Sequence, residues 1–456
     1  MILRFLAKNL FSFKEETEFN LLPNRSTSLP HHKIVKNDIS VLRLSAVYGA
    51  NGSGKSNLVK GIELLSRIIQ RGTVEVVPKD VKFKLSKKSQ EEPTSLSLEF
   101  FCDPHTYIYS ITFDKGQVLY EFFAESKVDK DVLIFEREIV DEKQTIHFFE
   151  EYYKDPKNTF FAEVLAEKLI NKGDVLLTFL ASKYEAEFSD SKNVMDWFVS
   201  NLVIIKLDTR PDVIAEILDK DENIKKFAND LLPSLSTGVV SIEVIKESLS
   251  ENQHSSDTGL DVEFLKRVLS VPKDLPDGVI PIFANRGGTA VVKENDDIVI
   301  KSLITSHESI EGDLIPFNIS LESDGTRRLI EYIPALQKII HHEKVFLIDE
   351  IERSIHPLMI KEIIKKISHD EQAKGQLIFT THESCLLDQD IFRTDEIWFS
   401  QKDVDGSSKM YSLSDYKVHN TINIENGYLS GRYGGIPFLS NLKDLNWHKD
   451  EISDTE

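Results

Sequence analysis

The sequence predicts an α/β fold: a mixed sheet with flanking helices, an antiparallel β lobe and a helical insertion. Three observations predict it. A short apolar strand runs into a glycine-rich loop and an amphipathic helix over residues 44–69. Two later apolar strands, at 345–348 and 377–379, end in polar residues, as buried parallel strands do where they open into a crevice. β-Branched and aromatic runs fill residues 94–123.

In chain order, Met1-Ile2-Leu3-Arg4 opens a strand rather than a signal peptide. Leu44 to Tyr48 is the next strand, and Leu58, Ile62, Leu65 and Ile69 then fall at helical spacing. Thr94 to Phe101, Tyr107 to Phe113 and Gln117 to Phe123 read as strands, with Asp114-Lys115-Gly116 as a turn. Residues 1–145 should therefore form a first lobe. Residues 146–290 read as a helical insertion, from Val213, Ile214, Ile217 and Leu218 and from Leu265, Val268 and Leu269. No heptads are sustained over three or four repeats, so a short lid or partner-docking domain is expected, not a long coiled coil. Through the strand Ile298 to Ile304 the chain returns to a second lobe, residues 291–456. There Leu329, Ile333, Leu336 and Ile340 share one helix face, and Ile397 to Ser400 forms a late strand.

The loop after the first buried strand is Gly49-Ala50-Asn51-Gly52-Ser53-Gly54-Lys55-Ser56, followed by Asn57. Glycine, four residues, glycine, lysine and serine is the phosphate-binding pattern. The glycines let consecutive N–H groups point inward, and the helix that follows adds the positive end of its dipole. Lys55 should reach the β- and γ-phosphates of a nucleoside triphosphate, and Ser56 should hold Mg²⁺. Val345-Phe346-Leu347-Ile348 ends in Asp349-Glu350. Asp349 fits the Mg²⁺ shell, and Glu350 the orientation and deprotonation of the attacking water. His382 follows Thr380-Thr381 at the same sheet edge and can donate a hydrogen bond to the γ-phosphate or the water. Glu322-Ser323-Asp324-Gly325-Thr326 precedes a helix, so Ser323 and the N–H groups of Asp324 to Thr326 form a second anion-binding end. One protomer has no use for it at its own nucleotide. Capping the nucleotide of a partner gives it one, in an isologous dimer with two shared sites.

This ordered set resembles the ABC-type ATPase head shared by transporter motor domains and by RecF and SMC proteins. The resemblance implies that Ser323 is the signature serine acting in trans and that His382 is the switch histidine. The chain departs from the transporter signature at Asp324 and Thr326, where glycine and glutamine are usual. Phe11-Ser12-Phe13, Glu322 to Arg328, Asp349 to Pro357, Thr380 to Ser384 and Gly431-Arg432-Tyr433-Gly434-Gly435-Ile436-Pro437 are similar to the compact bacterial ATPases of anti-phage systems. Among these are the ATPase halves of the abortive infection L (Rlo-type) and phage anti-restriction-induced pairs. The resemblance implies an ATP- and Mg²⁺-dependent sensor or scaffold that dimerises, with DNA or a phage protein as trigger. It also implies a separately encoded effector, of the Toprim nuclease type, because the stretch after His382 is too short for a fused one. The alternative is a RecF-like maintenance ATPase that clamps duplex DNA; a transporter motor is disfavoured by the altered signature and the insertion.

Composition bounds the partners. With 75 acidic and 55 basic residues the net charge is −20, which opposes unaided binding to a nucleic-acid backbone. Lys82, Lys84, Lys87 and Lys88 read as a solvated strand edge. Arg327, Arg328 and Arg353 cluster near the motifs, as interface residues, phosphate residues or ion pairs. Cys102 and Cys385 alone cannot make a disulfide framework, and no stretch reaches the ~18 apolar residues of a membrane span, so a cytoplasmic location is expected. Asp403 and Asp405 flank a turn rather than a metal. The glutamine that couples Mg²⁺ to lobe movement could be Gln70, Gln117 or Gln144, and the adenine contact is expected near Lys8 to Phe13.

Overall fold

The computed structural model describes residues 1–141, 143–206, 214–248, 277–280, 289–294, 297–416 and 422–436. Val213, Leu265, Val268, Leu269 and Pro437 lie outside them.

The central sheet has six strands, in the order Leu202–Ile205, Val345–Ile348, Gln376–Thr381, Leu44–Tyr48, Ile397–Lys402 and Ser408–Ser412. All neighbours are parallel except the last pair. The Leu44, Val345 and Gln376 strands are buried along their whole length, which is why they read as largely apolar runs without a polar alternation. Parallel pairing brings their carboxyl ends to one edge, where Gly49, Asp349 and His382 follow directly. The helices Lys55–Arg71, Asp324–His341 and Pro357–His369 connect or flank these strands.

An antiparallel sheet of seven strands stands against it, in the order Lys143–Phe148, Val132–Val140, Gln117–Glu125, His105–Asp114, Thr94–Cys102, Ile2–Lys8 and Thr17–Asn20. One cluster of buried side chains joins the two, including Phe5, Phe100, Phe123, Leu58, Ile62, Val47 and Ile378. Polar staples join them as well. Gln376, buried at the start of its strand, accepts from the Ile2 N–H at 2.7 Å and donates to the Ile2 and Leu42 carbonyls at 2.8 Å. The buried guanidinium of Arg43 donates to the Ile367, Ser368, Asp370 and Ala373 carbonyls, closing the C-terminal end of the helix Pro357–His369.

The insertion differs from the helical one expected over 146–290. Helices Leu176–Lys183 and Ser189–Ser200 pack on the helix Lys55–Arg71, and Leu202–Ile205 is the outer strand of the central sheet, so the chain is still building the head there. What projects is an α/β unit. Helices Ile214–Lys220 and Glu222–Leu231 cover a sheet of Val239–Ser248, Asp297–Glu308, Thr289–Glu294 and Gly278–Val279, with Leu314–Asn318 along Asp297–Glu308. The strand expected at 298–304 therefore belongs to this unit and not to a second lobe starting at 291. The lysine run also differs. Lys87 and Lys88 open the helix Lys87–Glu91, and Lys82, Lys84 and Lys88 meet Asp114, Asp80 and Glu92 at 2.6, 3.1 and 3.3 Å.

Inside the inserted unit Lys301 is fully buried, its amine 2.6 Å from Glu216, 2.6 Å from Asp219 and 2.5 Å from Glu294. Burial alone would raise the carboxyls of Glu216 and Asp219. The amines of Lys301, Lys220 and Lys246 reverse this and hold both below the ordinary value. Depressed carboxylates stabilise the fold at neutral pH and lose that contribution as pH falls through their range. Replacing the amine, Lys301→Met, leaves three carboxylates within 4.8 Å of one another. The loss is expected to be of the order of 3 kcal/mol at pH 7. Wild-type protein should lose stability as pH falls below the ordinary carboxylate range, and the gap between wild type and variant should narrow as the carboxylates protonate; thermal melts from neutral to acidic pH read that difference, and a gap independent of pH would show that the charges are not its source.

Candidate functional site

The phosphate loop follows from its strand and helix. Gly54 sits at φ 112°, where a Cβ would lie 2.5 Å from the Ser408 hydroxyl, so only glycine lets the loop turn into the helix Lys55–Arg71 against this neighbour. Lys55 is buried, and its amine donates to the carbonyls of Gly49 at 2.6 Å and Ala50 at 3.2 Å. Burial pushes that amine below its ordinary value, while Glu350, Glu352 and Asp349 pull it back up. Asn51 and Gly52 are exposed at the crest of the loop. Ser53 is buried, its hydroxyl has no partner among the described residues, and its carbonyl accepts from the Ser400 hydroxyl at 2.9 Å. Asn57 is occupied, donating to the Ser12 hydroxyl at 2.7 Å; Ser12 in turn meets Ser408 at 2.8 Å.

Asp349 is the meeting point. Its Oδ1 accepts from the Ser56 hydroxyl at 3.0 Å and from the Thr380 hydroxyl at 2.6 Å. The Glu350 N–H donates to the same threonine oxygen at 2.8 Å. Phosphate loop, Asp-Glu strand and threonine strand are thus linked through one carboxylate. Glu350 has φ 48°, a conformation that costs a non-glycine residue energy and is held here by its neighbours. Ser56 Oγ and Asp349 Oδ1 also fit a divalent cation. The two hard oxygens lie 3.0 Å apart at the strand end and would hold Mg²⁺ between the loop and the Asp-Glu turn. His382 is half-exposed; its backbone N–H donates to Glu352 Oε1 at 2.9 Å, and its Nδ1 lies 2.7 Å from the same oxygen.

Ser323 caps the helix Asp324–His341, its hydroxyl accepting from the Thr326 N–H at 3.1 Å. The Thr326 hydroxyl lies 2.9 Å from the Ser323 hydroxyl, and Thr326 is buried. Of the three N–H groups expected to face an anion, the cap therefore uses that of Thr326, leaving Asp324 and Gly325. Ser323 and Asp324 are exposed, and among the described residues none of the four hydrogen-bonds to the phosphate loop of its own chain. Gly325 approaches the Ser354 carbonyl so closely that a Cβ would stand 2.7 Å from it. Signature helix and Asp-Glu turn are in direct contact.

The neighbouring candidates divide. Arg327 pairs with Asp324, and Arg328 is buried, donating to Glu331 at 2.8 Å and Tyr332 at 3.2 Å. Gln70 and Gln144 are occupied, Gln70 by the Phe198 carbonyl and Gln144 by Arg137 and the Ala166 carbonyl. Asp403 and Asp405 do flank a turn, closed by Gly406 N–H to the Asp403 carbonyl, and each meets a lysine. Sequence reasoning singled out the Gly431-to-Pro437 stretch but gave it no place at the site. Gly435 and Ile436 line a cleft of about 220 Å³ with Ala50, Asn51, Ser53 and Ser400 to Lys402, so the Gly431-to-Ile436 stretch flanks the phosphate loop. It also gave Thr380 no bond of its own; a hydroxyl where the parallel strand beside the Asp-Glu strand ends was the available signal.

Compared with known proteins, the chain belongs to the family described as "AAA domain, putative AbiEii toxin, Type IV TA system", whose model matches residues 44–388. Among solved structures it is similar to an SMC head bound to the C-terminal winged-helix domain of ScpA, at 14% identity over 90% of this chain and 97% of that one, TM-score 0.44. It is similar to the SMC head domain of Thermotoga maritima at 11% identity, over 90% and 98% of the two chains, TM-score 0.38. The corresponding values for a Pyrococcus furiosus Smc head with an extended coiled coil, bound to the C-terminal domain of ScpA, are 12%, 94%, 98% and 0.40.

Because Thr380 both donates to Asp349 and receives the Glu350 N–H, Thr380→Val should leave the fold intact but weaken Mg²⁺-dependent nucleotide binding about 10- to 100-fold. Titration of a fluorescent ATP analogue at varied Mg²⁺ measures it; an unchanged Mg²⁺ requirement would show that Asp349 is positioned without the threonine.

Proposed function

We propose that this AAA-family chain is an ATP-hydrolysing switch that closes as a dimer around ATP and governs a separately encoded effector in a bacterial anti-phage system. The observation that carries the hydrolytic part is the convergence of Ser56 and Thr380 on Asp349, with Glu350 next in sequence and Lys55 inside the loop. In this reading the loop N–H groups and Lys55 bind the β- and γ-phosphates, and Lys55 exchanges the Gly49 and Ala50 carbonyls for phosphate oxygens. Mg²⁺, held by Ser56 and Asp349, supplies positive charge against the phosphates. Glu350 takes a proton from water as the water oxygen bonds to the γ-phosphorus and the bond to the bridging oxygen breaks, giving ADP and phosphate. His382 donates a hydrogen bond to the γ-phosphate.

Dimerisation is supported by what surrounds Ser323. Ser323 and Asp324 are exposed, and among the described residues the N–H groups of Asp324 and Gly325 carry no hydrogen bond. Leu321, just before it, is 72% exposed, and Leu358, at the start of the helix after Ser354, is 65% exposed. Large apolar side chains beside an anion-binding helix end suit a surface covered by a second copy. The effector and the defence role rest on the family's description and on the sequence resemblance; Toprim chemistry is the class of effector the resemblance favours. A DNA clamp is the weaker reading, since the net charge is −20 and three of the four lysines of the basic run are ion-paired.

Glu350→Gln is expected to bind ATP normally and to lower turnover about 10²- to 10⁴-fold; wild-type hydrolysis in this variant would remove Glu350 as the base. Ser323→Arg should bind ATP yet fail to pair. Mixed with Lys55→Ala it should regain no more than about half of wild-type turnover, since only one composite site of the mixed dimer is intact. Mass photometry of Glu350→Gln with and without ATP, alone and with the product of an adjacent gene, tests the switch. An ATP-dependent change in mass with that product supports an effector scaffold, whereas an ATP dimer indifferent to it but bound to duplex DNA supports the clamp.

A further inference from the structure

Glu352 is a buried carboxylate beside the site to which the proposed reaction gives no task. It is 3% exposed, and its Oε1 takes the backbone N–H of His382 at 2.9 Å and stands 2.7 Å from the ring Nδ1. Its other oxygen, Oε2, is buried without a hydrogen-bond partner among the described residues. Burial pushes this carboxyl above its ordinary value, against the pull of the His382 and Thr381 groups that bond to it. A buried carboxylate with one orphan oxygen is costly, and a core that needed only volume would hold an amide or an apolar side chain there. Such a group persists where its charge has a use.

The use follows from the two nitrogens of imidazole. An ionised carboxylate only accepts, so Nδ1 must carry the hydrogen that meets Glu352. This leaves Nε2 as the ring nitrogen free to face a ligand on a side chain that is 51% exposed. In a neutral ring with hydrogen on Nδ1, Nε2 carries a lone pair and repels a phosphate oxygen. For His382 to donate to phosphate, the ring must therefore be the imidazolium, with both nitrogens protonated, and the Glu352 carboxylate balances that charge. The backbone bond fixes where the ring starts, and the side-chain bond fixes how it is turned.

We infer that Glu352 is a positioning residue for hydrolysis, holding His382 by its Nδ1–H and backbone N–H so that a protonated Nε2 is presented to the γ-phosphate. The inference rests on the ATPase reading above. In this role Glu352 works through the histidine it holds, by its bonds to the His382 backbone and ring, and not by a bond of its own to the reacting groups.

The test is a double-mutant cycle of Glu352→Gln and His382→Ala in the full chain, read by steady-state ATP turnover, with ring ¹⁵N NMR of His382 as a readout independent of turnover. Glutamine keeps an acceptor for both N–H groups and removes the charge. Expected are a fall in kcat of about 10- to 100-fold with KM nearly unchanged, and no further fall when Glu352→Gln is added to His382→Ala. Wild-type kcat in Glu352→Gln, or a further loss in the His382→Ala background, overturns the inference, since a structural glutamate would act with or without the histidine. If wild-type protein binds ATP without turning it over, the ATPase reading fails on its own. The ring spectrum then decides the rest, hydrogen on both ring nitrogens supporting the inference and hydrogen on one nitrogen alone refuting it. The spectrum also serves if the glutamine variant does not fold, because it is taken on the wild type.

Discussion

One carboxylate oxygen, Asp349 Oδ1, receives hydroxyl hydrogens from two elements that are far apart in sequence, Ser56 at 3.0 Å and Thr380 at 2.6 Å. The order of strands makes this convergence available. The strand Gln376–Thr381 lies between Leu44–Tyr48 and Val345–Ile348, so its last residues stand between the phosphate loop and the Asp-Glu turn. A residue near the end of that middle strand can hold the Asp-Glu turn if it is short and carries a hydroxyl that both donates and accepts, and Asp349 then reaches Ser56 of the loop. Thr380 does so, accepting from Glu350 while donating to Asp349. Were the two outer strands adjacent, Asp349 could still meet Ser56, but nothing would hold the Glu350 backbone in its strained turn.

Such an arrangement needs a rigid support, and buried polar side chains provide part of it. Gln376 starts the strand that Thr380 and Thr381 end, and its amide bonds both Ile2 backbone groups and the Leu42 carbonyl. That anchors the strand to the antiparallel sheet at the end away from the site. His32 and Glu396 form a second buried pair at 2.9 Å, with the histidine also on the Ser368 carbonyl. Burial raises Glu396, and the histidine opposes this. Polar groups placed so deeply are tolerated only because they are bonded, and their directionality sets a register that apolar contacts alone would leave loose.

What could be read from the amino-acid order follows the range of the interactions. The Leu44–Tyr48 strand, its loop and its helix were legible because each is fixed by neighbours in sequence: an apolar run, glycines and helical spacing. The Val345–Ile348 strand was legible for the same reason, and so was the helix that begins after Ser323. The inserted unit was not. Val239–Ser248 pairs with Asp297–Glu308 far along the chain, and such pairing leaves no local trace beyond β-branched residues at Val239, Val240, Ile242, Val244 and Ile245. Helical spacing on either side outweighed that trace. At the site, residue types announced Lys55, Ser56, Asp349 and Glu350, but not the bond from Glu352 to His382, which depends on two turns meeting. The three N–H groups credited to the signature shrank to two because the cap is closed by its own serine, a competition that spacing cannot reveal.

The signature helix is shared between two cores, and this limits how the molecule can move. From the helix Asp324–His341, Leu329, Tyr332, Leu336 and Ile339 are buried in the head with Phe346 and Ile348, while Ile330 and Ile333 are buried in the inserted unit with Ile224 and Leu303. Just before it, Glu322 Oε1 accepts from the Thr305 hydroxyl and lies 2.7 Å from His307 Nε2, both on the longest strand of the insertion. At its first turn Gly325 abuts Ser354, which follows the Asp-Glu turn. Close-packed side chains resist partial displacement, so a helix held on two faces and at its start cannot shift without disturbing both bodies. A displacement of the inserted sheet must therefore be felt at Ser323, and one of the Asp-Glu turn must be felt in the inserted sheet. The coupling is mechanical and reciprocal, and it requires no contact between the insertion and the phosphate loop.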